Sequence, residues 1–421
     1  MSAKRPVTGL QRSTLPNGLT VLSETIPGVR SIAFGAWVRA ASVHEPRDRM
    51  GVSHLLEHMV FKGTRSRSAH QIALALETLG GSLDAYTARE HTAYQARALD
   101  AHLATAADVV GDLVFQPLLR DDDLQLERKV VLEEISTVED TPDDLVFELH
   151  NEAMWGAHPY GYQILGTRET VSALGVRELR ELHTRAYNPP QVVIACAGNV
   201  RHEQLLDVLE KTGWSAHPRG DDRPLHAPAL SPSEPGVQHV KRDGAQTHIV
   251  FGSPTVAYGD PRRYAAALVD TILGGGMSSR LFQRVREELG LAYDVHTFQT
   301  FHPDTGVHGV YVGTAPKTAR DAAAAVRDEL ARVAADSLTD EEIASGKRQL
   351  AGSVTLSLES VTARMYRAAS SALYDEPYRT LDETLALIEA ITAEDVAAVC
   401  AEFYAPEKQT VVSLGPERAI P

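Results

Sequence analysis

The chain has 421 residues, of which 43% are hydrophobic and 23% charged, an ordinary globular composition in a chain too long for one core, so two domains are expected. A formal charge of −15 excludes a nucleic-acid backbone as partner, because phosphate binding needs a basic face, and suits a basic peptide better. Two cysteines, Cys196 and Cys400, each alone in an apolar run, allow neither a disulfide framework nor a thiolate metal cluster and read as buried packing residues.

The start, Met1 to Val7, is short and polar, and no apolar stretch approaches the roughly 18 residues of a membrane span. No secretory signal or long Arg-rich transit segment is visible, so no membrane partner and a reducing, cytoplasmic compartment are expected. Leu19 to Glu24 and Ser31 to Arg39 are rich in Val, Ile, Phe and Trp and read as strands. The run Gly51-Val52-Ser53-His54-Leu55-Leu56-Glu57-His58-Met59-Val60-Phe61 then reads as a helix, with good helix formers after Ser53 and no proline.

Residues four apart share a helix face, so His54 and His58 can bind one ion side by side, and Glu57 lies one turn from His54 on the same side. A carboxylate there can hold a metal-bound water without being a ligand. Zinc in an open site lowers the pKa of its water to about 7, so the carboxylate can take a proton and later return it to a leaving amine. This is the chemistry of peptide hydrolysis. The apolar neighbours Leu55, Leu56, Met59, Val60 and Phe61 argue against a plain surface helix, since an ionisable triplet on a buried helix needs a partner such as a metal.

Leu79-Gly80 closes a further helical pattern before an alternating strand. Leu124 to Asp140 is helical again and carries Glu127, Glu133, Glu134 and Glu139. A third protein ligand that leaves the fourth position open completes a catalytic zinc site, and Glu134 is the candidate. Glu127, seven residues earlier, faces the same way and can orient a ligand or assist the water, whereas Glu133 points about 100° off that face. These ligand types also accept manganese or cobalt.

An internal repeat fixes the organisation. Tyr187-Asn188-Pro189 leads through Val192, Val193 and Ile194 to Gly198, and Tyr404-Ala405-Pro406 leads through Val411 and Val412 to Gly415, with 11 positions from Tyr to Gly in both. Pro159-Tyr160 and Pro377-Tyr378 precede helical patterns at Val176 to Tyr187 and Ala393 to Phe403, and Leu289-Gly290 matches Leu79-Gly80. Between the copies, the stretch 216–236 holds five prolines and no periodicity, an extended linker. The second copy opens with strands at Gln238 to Lys241 and Thr247 to Gly252. The expected fold is therefore α+β, two homologous sandwich-like domains: 1–215 with the metal residues, the 216–236 linker, and 237–421.

With these residues in view, His54-Leu55-Leu56-Glu57-His58-Met59-Val60-Phe61-Lys62-Gly63-Thr64, followed 76 positions after His58 by Glu134, closely resembles the pitrilysin family of zinc metallopeptidases in its mitochondrial-processing-peptidase branch, bacterial type. The resemblance covers nearly the whole chain and implies a zinc metalloendopeptidase with one zinc per chain on His54, His58 and Glu134, and Glu57 as general base. It implies that Gly81 to Thr92, with Ser82, Leu83, Asp84, Ala85 and Tyr86, is an edge strand that takes up substrate as an added strand; at Asp84 the family more often has asparagine. It implies that Arg286 and Tyr293, after the glycine run Gly274-Gly275-Gly276, hold the substrate carbonyl as an electrophilic clamp, and that Asp144 and Glu148, four apart on a helix, read basic side chains. It also implies that peptides or unfolded segments are enclosed in a chamber of four such domains. One chain supplies two, so a homodimer is implied, with each active site shared between chains. Alternatives are a catalytically silent structural subunit, against which the intact His54, Glu57, His58 and Glu134 weigh, and a peptide-holding protein that would tolerate loss of Glu57. A nucleotide enzyme is disfavoured, since no Gly-Lys-Ser/Thr follows the glycine run.

Overall fold

The computed structural model describes residues 9–231 and 234–420; Met1 to Val7, and Pro232 and Ser233 of the linker, lie outside the described residues. The first half runs β1 (Leu10–Thr14), β2 (Thr20–Thr25), β3 (Ser31–Val38), α1 (Val52–Val60), α2 (Ala69–Glu77), β4 (Ser82–Thr87), β5 (Thr92–Leu99), α3 (Leu103–Phe115), α4 (Asp121–Asp140), α5 (Pro142–Trp155), α6 (Arg168–Ala173), α7 (Val176–Ala186), β6 (Val192–Gly198) and α8 (His202–Lys211). The second runs β7 (Val237–Lys241), β8 (Thr247–Thr255), α9 (Arg263–Gly274), a π-helical segment Phe282–Glu288, β9 (Ala292–Phe301), β10 (Gly306–Thr314), α10 (Ala319–Asp336), α11 (Asp340–Ser357), α12 (Val361–Leu373), α13 (Leu381–Glu389), α14 (Ala393–Phe403) and β11 (Thr410–Gly415).

The strands form two mixed sheets, ordered β1-β2-β6-β3-β5-β4 and β7-β11-β8-β10-β9. Without β1 the first sheet has the same order as the second. The directions agree as well: one parallel pair (β2 with β6, β7 with β11) and antiparallel neighbours from there to the edge strand (β4 or β9). The duplication read from the sequence is thus a duplication of topology, and the fold is α+β with two homologous domains.

Both faces of the first sheet are buried, which is why its central strands are continuous apolar runs rather than alternating ones. Ile32, Phe34, Ala36, Val192, Ile194 and Cys196 face a core that includes Leu55, Leu56 and Met59 of α1 and Val110 and Leu113 of α3. Their neighbours Ala33, Trp37, Val193, Ala195 and Ala197 face the other way, against Met365, Ala368, Ala369 and Ala372 of α12. Gly35 leaves room for Trp37, whose ring would meet a Cβ there at 2.5 Å. A buried ring of this size is worth about 3–5 kcal/mol against alanine.

The chain accordingly divides into two units that are not contiguous in sequence. One comprises 1–136, 162–229 and 357–378, so α12 belongs with the first sheet; the other comprises 137–161, 230–356 and 379–421, so α5 belongs with the second. The 216–236 stretch separates the strands of the two sheets, but each half lends one helix to the other's sheet. In the first unit Arg39 binds the end of α12, its Nη1 donating to Leu373 O at 2.9 Å and its Nη2 to Ala372 O, which answers the helix C-terminus with a cation. In the second unit Val146 of α5 packs with Val250, Tyr311, Val412 and Leu414.

His150 of α5 is buried in that second unit, 1% exposed, with Nε2 3.1 Å from Thr410 O, and Gly252 clears space for its ring. Burial lowers His150 and His308 to about 4. Both pKa values lie below the ordinary 6.5, so the unfolded chain binds more protons between pH 6.5 and 4. The stability each neutral ring contributes is complete above pH 6.5 and is lost as pH falls through that window. Moving from pH 7 to pH 5 should cost about 1–2 kcal/mol for each ring. Thermal denaturation at the two pH values should show this loss, and His150→Gln should shrink it.

Candidate metal centre

Helix α1 is held by its apolar side. Leu55, Leu56, Met59 and Val60 are fully buried, which leaves His54, Glu57 and His58 on the opposite side. The helix begins after Gly51, at φ +88°, where a Cβ would lie 2.6 Å from Leu165 O, so only glycine fits the turn. Gly51 offers no side-chain cap; the buried carboxylate of Glu45 supplies one, accepting from Gly51 N at 2.8 Å and Ser53 N at 2.7 Å. Burial raises Glu45 to about 7 against the pull of these hydrogen bonds.

Helix α4 opens with Asp121, Asp122 and Asp123 at its positive end and buries Leu124, Glu127, Val131 and Ile135 along one stripe. The structure brings His54, His58 and Glu134 together, with one donor atom from each within 4.8 Å of the other two. Glu134 Oε2 lies 3.8 Å from His54 Nε2 and 3.6 Å from His58 Nε2. A tetrahedral ion bonded at about 2.0–2.2 Å places its ligand atoms about 3.3–3.6 Å apart, so a small contraction would seat one. His54 Nδ1 and Glu134 Oε2 are buried without a hydrogen-bond partner, a cost that coordination at the carboxylate would offset. Burial, with His58 alongside, lowers His54 to about 3, keeping the imidazole neutral as a metal ligand must be. These residue types and this spacing fit zinc.

Around the triplet stand supporting groups. Glu127 Oε2 lies 3.2 Å from His58 Nδ1, and Glu127 Oε1 lies 2.6 Å from Lys62 Nζ. Thr87 Oγ1 donates to Glu57 Oε2 at 2.6 Å. Burial raises the Glu57 carboxyl; the Thr87 hydrogen bond and His58 pull it down, while Glu134 and Asp84 push it up. No role for Glu45, Lys62 or Thr87 is legible in the motifs that mark the site in the sequence. The partners of Lys62 and Thr87 are 65 and 30 positions away, so no local spacing identifies these two residues.

Ser82, Leu83, Asp84, Ala85 and Tyr86 lie on β4, the edge strand of the first sheet, paired only to β5 among the described strands. Asp84 Oδ1 accepts from Ala85 N at 2.9 Å. Arg286 and Tyr293 belong to the second unit. The Arg286 guanidinium lies 5.0 Å from the Tyr293 ring and 4.7 Å from Phe282, and Tyr293 is 76% exposed. Asp144, exposed, and Glu148, half-buried, lie on α5, also in the second unit. Helix α9 of that unit, which occupies the place of α1, carries no histidine.

Comparison with known proteins fits this asymmetry. Residues 20–168 match the model described as insulinase, peptidase family M16, and residues 173–350 match the one described as peptidase M16 inactive domain. A protein of Streptomyces coelicolor named as an uncharacterised zinc protease is 41% identical over 395 residues, 93% of this chain and 86% of its own. YmxG of Bacillus subtilis, named likewise, is 36% identical over 94% of this chain and 96% of its own. A crystal structure of a peptidase M16 inactive domain from Pseudomonas fluorescens shares the fold, with a TM-score of 0.89 over 98% of this chain and 99% of that one, at 24% identity. Family and relatives' names point to a metallopeptidase that uses zinc. The two family models matched at 20–168 and 173–350 and this degree of identity along nearly the whole chain place the protein in peptidase family M16, the insulinase and pitrilysin family, with both of the family's domains in one chain.

Proposed function

We propose that the protein is a zinc metalloendopeptidase that hydrolyses extended peptides or unfolded segments. The observation that carries this reading is the convergence of His54, His58 and Glu134 beside Glu57 on a helix otherwise sunk in the core. The two imidazoles and the Glu134 carboxylate would hold one zinc per chain, and zinc there would acidify a water and polarise a peptide carbonyl.

In this reading a peptide adds to the open edge of β4, held by backbone hydrogen bonds that are largely indifferent to its side chains. Glu57 takes a proton from the attacking water as its oxygen bonds to the carbonyl carbon, then gives that proton to the departing amine nitrogen as the C–N bond breaks. The position of Glu57, three residues after His54 and one before His58, supports this role. Burial, which raises its carboxyl, suits a group that must both accept and return a proton. Glu127, between Lys62 and His58, orients the His58 ring. Arg286 and Tyr293, stacked on one another, would steady the carbonyl oxygen, and Asp144 and Glu148 would favour basic side chains in the substrate. Because the metal residues and the Arg286–Tyr293 pair belong to different units, we assign the working form as a homodimer whose sites are each shared between chains.

Metal content and cleavage of an internally quenched basic peptide test the core of this reading. Wild type and Glu57→Gln should both hold about one zinc per chain while only the wild type cleaves; a wild type without metal, or without cleavage under any divalent ion, favours a structural or peptide-holding role. Glu127→Gln should weaken zinc about 10–100-fold in competition with a chelator, since it removes the carboxylate that fixes the His58 ring. Mixing Glu57→Gln chains with Arg286→Ala chains should restore activity to the mixed dimers, and no recovery would show that each chain works alone.

A further inference from the structure

The edge strand and the proposed base are joined by one hydrogen bond. Thr87 is the last residue of β4, paired with Thr92 of β5, and the turn between them is closed by Ala88 N donating to His91 O at 2.9 Å. Side chains alternate along a strand, so Tyr86 and Thr87 point to opposite faces. Tyr86 faces the α12 side, where its hydroxyl accepts from Trp37 Nε1 at 3.2 Å and lies 3.2 Å from His91 Nε2. Thr87 faces α1 and donates from Oγ1 to Glu57 Oε2 at 2.6 Å. Its β-branch restricts χ1, so the hydroxyl direction follows the strand backbone.

Glu57 is 9% exposed, and one of its oxygens is held by this bond, leaving Oε1 to meet a water. A carboxylate on three rotatable bonds needs such a restraint to keep one orientation. We propose that Thr87 is a positioning residue that couples occupancy of the edge strand to the orientation of Glu57: a peptide seated on β4 fixes the strand, and Thr87 passes that order to the base. The inference rests on the peptidase reading and on Glu57 as its base. Thr87 acts through Glu57 rather than on the reacting atoms, and its effect is on turnover rather than binding.

The test compares wild type, Thr87→Val, Thr87→Ser and Glu57→Gln on the quenched basic peptide, with zinc content measured for each. Peptide binding is measured by fluorescence polarisation on Glu57→Gln and on Glu57→Gln with Thr87→Val. Valine keeps the shape and strand preference of threonine without the hydroxyl, and a hydrogen bond to a charged group is a strong one. The expected result is a kcat at least tenfold lower for Thr87→Val, with KM, peptide affinity and zinc content within about twofold. Thr87→Ser should return kcat to within about threefold of wild type. A wild-type kcat in Thr87→Val, a serine variant as slow as the valine one, or a fall in peptide affinity matching the fall in turnover overturns the proposal while leaving the peptidase reading standing. Full turnover in Glu57→Gln, or none in the wild type, removes the reading and this inference together.

Discussion

Each sheet of this protein has two apolar faces, and each half of the chain covers only one of them with its own helices. The rest of the structure depends on how the second face is covered. Trp37, Val193, Ala195 and Ala197 cannot be left to water, and the helix that shelters them, α12, comes from beyond residue 360. Helix α5 answers the same need for the second sheet. The candidate metal site inherits its rigidity from this arrangement. Helix α1 lies on one face of the first sheet, α12 seals the other, and the Tyr86–Thr87 end of the edge strand β4 is tied to both, through Thr87 to α1 and through Tyr86 to Trp37.

A second constraint is electrostatic. Three ionisable groups sit on a helix of nine residues, four of whose side chains are fully buried. Such a helix is tenable because most of its polar groups are answered: the N-terminal amides by Glu45, Glu57 by Thr87, and His58 by Glu127, itself paired with Lys62. Among the ionisable groups of the site, His54 Nδ1 and Glu134 Oε2 are left without a hydrogen-bond partner, and both residues belong to the triplet that fits a metal.

Much of this was legible in the sequence. The helical spacing of His54, Glu57 and His58 shows their common face, because a helix converts a spacing of four directly into adjacency. The Tyr-to-Gly interval of 11, repeated at the end of each half, marks the duplication that the two sheets display. Strand β1 carried too weak a pattern to be read, with half-buried and exposed residues at the outer edge of its sheet. The exchange of α5 and α12 was not legible either. An apolar stripe tells that a helix must be covered and says nothing of which sheet covers it, and both helices have ordinary stripes at ordinary positions in their own half. Glu45 looks like any charge in a loop, since its value lies in reaching amides six and eight residues away.

The exchanged helix also has a meaning in time. A ribosome delivers the chain from its first residue, so the strands of the first sheet and the helix bearing His54 and His58 emerge long before α12 does. Until some 370 residues have been made, one whole face of that sheet, including Trp37, has no permanent cover. The nascent protein therefore cannot complete its first unit by itself as it grows. It must wait for about the last seventh of its own translation, and a cut at the linker parts each sheet from the helix that covers its second face.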